Sequence, residues 1–220
     1  MNDGTCDLAW LDTIEIVGGH PALDFVNTVH SRTEPVLRDY LTTPMRLIAW
    51  CRHENLIDAE EARSLSRLPS RHGAALLGAA RGLREMLHTL FDGWLNGTLD
   101  AKTLALFNRE MGKLADWRTL AATASRFEWR YRIDPDHPQS LLAPLAFGAA
   151  ELLDSPDLAR LKACPPPDGC GWLFLDRSRN ASRSWCNMKT CGNIAKQRRH
   201  RARQLKTPQS EFSTPHVQSN

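Results

Sequence analysis

Nowhere in the 220 residues is there an apolar run of about 18 or more, the length needed to cross a bilayer, so no membrane span is expected. The opening Met1-Asn2-Asp3-Gly4-Thr5-Cys6-Asp7 has no basic start followed by an apolar stretch, so it does not read as a secretory signal, and a cytoplasmic location is expected. No glycine-rich phosphate loop, nucleophile elbow or His-Glu-x-x-His helix occurs, which leaves an enzyme reading only scattered titratable groups; the chain is not expected to be an enzyme. No internal repeat is present. Acidic residues all but vanish towards the end: residues 160–206 hold only Asp168 and Asp176, against 12 Lys and Arg.

What is present fits a globular protein. A hydrophobic content of 42% and a charged content of 24% are ordinary for that class, and the length allows one main domain with a real core plus a smaller module. Residues 1–159 carry 16 Lys and Arg against 22 Asp and Glu, so an acidic body bears a strongly basic end. Such asymmetry points to a polyanionic partner for the basic end; the alternative is that the two halves attract each other.

Periodicity makes the body mainly helical with a few short strands. Thr13 to Val17 reads as a strand, and Pro21 to Val29 as a short helix. Thr42-Thr43-Pro44 opens a helix to about Asn55, with a threonine cap and proline in the first turn. Asp58 with Glu61 opens another. The longest signal runs from about Arg71 to Asn96, where Leu76, Leu83, Leu87, Leu90 and Trp94 share one face and Gly97 ends the helix. Asp100 starts a further helix, Thr119 to Ala122 and Phe127 to Ile133 form a hairpin, and Gln139 to Leu153 is the last helix of the body. Cys51 sits in an apolar stretch as a buried small hydrophobe. The divisions are a body at 1–159, a module at 160–206 and a polar, disordered tail at 207–220.

Six cysteines in a chain with no export signal favour metal or redox chemistry over disulfides. Four form the pattern Cys164-x5-Cys170-x15-Cys186-x4-Cys191, two pairs and a spacer, which suits a tetrahedral structural zinc. The first turn is wide but rich in turn formers, and Gly169 and Gly171 beside Cys170 let backbone N–H groups approach a thiolate. Between the pairs, Trp172 to Asp176 reads as one strand and Arg183 to Cys186 as its return, giving a treble-clef-like or zinc-ribbon module of β-hairpin and basic helix. Unrelated thiols, or a redox disulfide, are the competing readings.

Trp172-x-Phe174-x-Asp176-x-Ser178-x-Asn180, followed by Arg183, Trp185-Cys186-x-Met188 and Cys191-Gly192-Asn193, resembles the CGNR zinc finger. Gly18-Gly19-His20-Pro21-Ala22-Leu23-Asp24-Phe25-Val26-Asn27-Thr28 is similar to the opening of the ABATE domain that precedes this finger in bacterial proteins. Together the likeness covers about residues 12–205. It implies a bacterial, stress-related transcription regulator or RNA binder, with Cys164, Cys170, Cys186 and Cys191 holding one zinc ion. The signature ends in arginine where this chain has Ile194, which removes one phosphate or bracing contact; Lys196 and Arg198 stand nearby to replace it.

From Cys191 to Leu205 the chain reads as a helix whose Lys196, Arg199, His200, Arg203 and Lys206 recur at three- and four-residue steps. Arg198 lies beside this stripe, and Arg179 and Arg183 extend it. Guanidinium groups fork to phosphate oxygens, so DNA or RNA is the expected partner. An adaptor docking an acidic protein and a redox-responsive zinc switch are the alternatives. Trp172 and Trp185 are core residues on this reading rather than stacking platforms. His20, Asp24 and Asn27, with His30 close by, form a candidate pocket for a small-molecule effector; capping and buried hydrogen bonds are the competing reading. The body is also the candidate for homodimer contacts.

Overall fold

The computed structural model describes residues 10–11, 14–35 and 38–206, with side chains as far as Gln204. Cys6, Thr13 and the 207–220 tail lie outside these residues, as does the side chain of Lys206.

The described residues form seven α-helices, several of them bounded by capping residues. His20 caps α1 (Pro21–Val26), its Nδ1 accepting the Ala22 N–H. Thr43 caps α2 (Pro44–His53) by accepting the Arg46 N–H. Asp58 and Glu61 close a reciprocal capping box at the start of α3 (Ala59–Leu65). The 27-residue α4 (Ser70–Asn96) ends at Gly97, whose φ of 65° is the left-handed conformation that a helix C-terminus requires. Asp100 caps α5 (Ala101–Leu114). A 3₁₀ turn at Pro138–Leu142 leads into α6 (Ala143–Leu153).

The core surrounds α4, which packs against α1, α2 and α5. Leu76, Leu83, Leu87 and Leu90 are buried along it, but Trp94, expected on the same line, is 52% exposed. The reason lies in the turn that follows. The chain folds back so that Thr98 and Leu99 donate to the Gly93 carbonyl, and a Cβ on Gly93 would meet Leu99 Cα at 3.1 Å. The last turn of α4 is therefore closed on the Gly93 side, away from Trp94. Cys51 is fully buried, and burial raises its thiol pKa far above the usual range.

Strands β1 (Arg118–Ala122) and β2 (Phe127–Tyr131) form the expected antiparallel hairpin, with Leu120 opposite Trp129. The strand expected at Thr13–Val17 is absent among the described residues. The backbone there is used differently: Val17 and Gly18 donate to the Asp24 carboxylate, and the Gly18 carbonyl accepts from Leu175. The segment is clamped between α1 and the finger instead of entering a ladder.

The finger's hairpin also differs from expectation. Strand β4 (Leu173–Leu175) pairs with β3 (Leu161–Ala163), which precedes the first cysteine. The return strand at Arg183–Cys186 does not form, because Asp176 coils the chain around itself. Its carboxylate accepts the Ser178 N–H, the Ser178 hydroxyl and the Arg183 N–H, so the backbone donor a ladder would need goes to a side chain. Basic helix α7 (Asn193–Lys206) follows a π-helical turn at Met188–Gly192.

Candidate metal centre and basic helix

Cys164 and Cys170 bracket the tip of the β3–β4 hairpin. Cys164 donates its N–H to the Trp172 carbonyl, Gly171 donates back to the Cys164 carbonyl, and Gly169 donates to Pro165. The tip is too tight for side chains at either glycine. A Cβ on Gly169 would lie 2.6 Å from the Pro165 oxygen and 2.7 Å from Cys164 Sγ, and Gly171 has φ of 74° with a Cβ that would strike Arg32 Cβ at 2.8 Å. Of the second pair, Cys186 precedes the π-helical turn and Cys191 lies within it; Asn187 caps the start of the turn by accepting the Lys189 N–H.

The four sulfurs converge to within 4.8 Å of one another, with Cys164, Cys186 and Cys191 buried and Cys170 half-buried. Cys170 Sγ lies 3.5 Å from Cys186 Sγ, which lies 3.7 Å from Cys191 Sγ. Tetrahedral zinc with Zn–S bonds of about 2.3 Å sets neighbouring sulfurs about 3.8 Å apart. These spacings fit that polyhedron, and the described cysteines form no disulfide. The set can therefore bind one zinc ion, with all four positions filled by protein. Trp172 and Phe174 are buried beside the sulfurs, so Trp172 is a core residue.

The finger is wired to the body through main-chain groups. Asn27 is buried and holds β4 at both ends of one residue: its Nδ2 donates to the Leu173 carbonyl and its Oδ1 accepts the Leu173 N–H. Trp172 Nε1 donates to the Val29 carbonyl at 2.8 Å. The Cys170 carbonyl accepts the Arg32 N–H at 2.7 Å and the Ser31 hydroxyl, and Thr33 donates to Gly169. Beneath this seam, Arg84 is buried and forks onto Asp39 with both contacts at 2.8 Å, while Arg32 reaches Glu85. Burial works against ionising Asp39, but the Arg84 guanidinium outweighs it and keeps the carboxyl below its usual range.

His20, Asp24 and Asn27 each hold backbone in place, as the competing reading expects. His20 caps α1, Asp24 holds the Val17–Gly18 turn, and Asn27 holds β4. Burial raises the Asp24 carboxyl and the N–H groups of Gly18 and Val17 pull it back down.

The basic residues divide into two groups. Lys196, Arg199, His200 and Arg203 line one shallow cleft on α7 and are exposed. Arg179 is exposed on the turn after β4. Arg183 instead lies over the Phe174 ring and donates to the carbonyls of Val17, Trp185 and Cys186. Arg198 folds back onto Asp168 and the Pro167 carbonyl. Both brace the cysteine turns; Arg183 is turned inward, whereas Arg198 stays exposed beside the stripe. Ile194 is 45% exposed beside Arg198 and the cysteine cleft. Sequence reasoning missed Lys162, whose ammonium meets buried Asp176 at 2.6 Å and also donates to the carbonyls of Ala181 and Arg183. Its signal was present: Asp176 is one of only two acids in the module, and a buried acid needs a cation.

The family model of the CGNR zinc finger matches residues 160–204. That of ABATE, described as a "putative stress-induced transcription regulator", matches residues 19–156. No curated protein matches the chain. The ABATE match covers more than half of the sequence, and the chain belongs to that family and carries a CGNR zinc finger.

Proposed function

We propose that this ABATE–CGNR protein is a zinc-stabilised regulator, not an enzyme, that grips nucleic acid through α7. The body at 1–159 is the platform and the finger at 160–206 the contacting unit. The observation that carries this reading is the single exposed face on which Lys196, Arg199, His200 and Arg203 stand side by side. Like charges at helical spacing repel by about 0.2–0.5 kcal/mol per pair, a cost that a phosphate backbone relieves and water does not. Arg179 and Arg198 are further exposed cations of the set, Arg198 being paired with Asp168. Contacts of this kind give affinity without sequence specificity.

The test is fluorescence anisotropy of the zinc-loaded protein with duplex DNA and with single-stranded RNA, titrated across salt. Three to four engaged phosphates would give a slope of log K against log salt of roughly −3 on duplex DNA. Lys196→Ala with Arg199→Ala should weaken binding at least tenfold and flatten that slope by about two, with zinc content unchanged. Preference for one polymer selects transcription factor or RNA binder. No binding to either at low salt refutes the reading and turns the same face towards an acidic protein.

A further inference from the structure

We infer that the body holds a small-molecule site unrelated to the cysteines: a cavity of about 540 Å³ between α4, α5 and the turns at 115–117 and 138–142, suited to a compact, mostly apolar ligand. Its volume is within the roughly 300–1,000 Å³ of small-molecule sites. Gly82 and Leu83 of α4 form one wall, with Met86 one turn on; Leu114, Trp117 and Leu142 face them from the other elements. Leu83, Leu114 and Leu142 are more than nine-tenths buried elsewhere in the core, so the walls are fixed by packing and not by loops.

Two features make this a recess for a ligand and not a flaw in the packing. Gly82 sits in the interior of a long helix, where glycine is less favourable than alanine, yet a Cβ there would meet nothing within 4 Å. Neither backbone conformation nor steric crowding requires glycine at this position, which stands on the exposed rim of the recess. The polar groups are few: Lys113 and Glu110 pair at 2.7 Å, and Gln139 stands exposed on the lining. One hydrogen-bonding head group on an aromatic or branched aliphatic body matches that lining. A partner helix, about 10 Å across, calls for a long trough, whereas this recess is lined from four separate elements. Arg84 and Glu85, which hold the seam with the finger, are the residues between Leu83 and Met86 on the same turn of α4. The site therefore backs directly onto that ion-pair cluster.

The experiment uses full-length, zinc-loaded protein with 13C-methyl methionine and 2-naphthol as probe, Met86 being assigned by its loss in Met86→Leu. A saturable shift of the Met86 methyl with Kd below 1 mM is expected, while exposed Met45 and Met188, outside the cavity, stay still. Gly82→Leu should place its side chain in the cavity and weaken binding at least tenfold, with zinc content and helicity retained. Gly82→Ala, which meets no neighbour, serves if the leucine variant does not fold, and should weaken binding about threefold. Absence of a saturable Met86 shift, or an unchanged Kd in the folded glycine variant, overturns the site. Nucleic acid plays no part in the readout, so this result and that of the α7 test are independent.

Discussion

The body and the finger reach stability by different routes. Around α4 the body buries Phe25, Trp50, Phe91, Phe107 and a large set of aliphatic side chains. The finger's own cluster consists of Cys164, Trp172, Phe174, Cys186 and Cys191, so three of its five buried members are metal ligands. So short a segment cannot remove enough apolar surface from water to fix a chain. It adds hydrogen bonds to its neighbour and a four-thiol metal centre to the packing of Leu161, Leu173 and Leu175 into the body's core. The body thus rests mainly on its own apolar core, whereas the finger leans on that core, on the metal centre and on the seam at Asn27, Val29 and Arg32.

The sharpest way to break this contrast is Cys186→Ser. Structural zinc contributes roughly 10–16 kcal/mol of apparent binding free energy in small zinc peptides, and losing one ligand should abolish stoichiometric zinc. Far-UV circular dichroism should retain the body's helices while amide exchange across 160–204 becomes fast. One tightly held zinc per chain in this variant would refute the ligand set. A smaller effect is expected at the seam. Asn27→Ala leaves the Leu173 N–H and carbonyl buried without partners, costing about 2–5 kcal/mol in urea unfolding. If the finger were held by metal alone, this variant would unfold like wild type.

Gly171→Ala tests the other side of the same seam. A positive φ and a 2.8 Å approach to Arg32 Cβ make alanine cost about 1–3 kcal/mol, with loosened zinc and an unchanged α4. The mildest effect belongs to the body alone. Burial, then the nearby Asp24 charge, raises the Glu54 carboxyl from 4.5 to about 7. The folded state therefore binds more protons than the unfolded state between those values. The Glu54 contribution to stability is fullest below about pH 4.5 and is lost as pH rises through about 7. Glu54→Gln should flatten this slope in urea titrations without changing zinc content; an unaltered slope would assign the effect elsewhere.

Some of this was legible in local chemistry. Caps at Thr43, Asp58, Asp100 and Gly97 announced their helices because a cap acts on the next three or four residues, and those residues are adjacent in sequence. The cysteine spacing announced the metal for the same reason. Trp94 misled because periodicity reports which face of a helix is apolar and not where neighbouring elements end. The finger's second strand misled because Trp172–Asp176 does have strand character; its partner is Leu161–Ala163, and no rule of alternation names a partner. Arg183 and Arg198 looked like the other arginines in the basic stretch, and only their reach to carbonyls and Asp168 separates them.

The sequence alone determined the helical body, the four-thiol centre, the basic last helix and the family, since each depends on residues close in the chain or on a fixed spacing. Tertiary structure alone decided that Asn27 serves β4 146 residues away, that Arg183 faces inward, and that a cavity opens over Gly82. Those outcomes depend on where separate elements come to rest. That is set by packing the body's apolar faces together, a sum over many distant pairs that no local pattern contains.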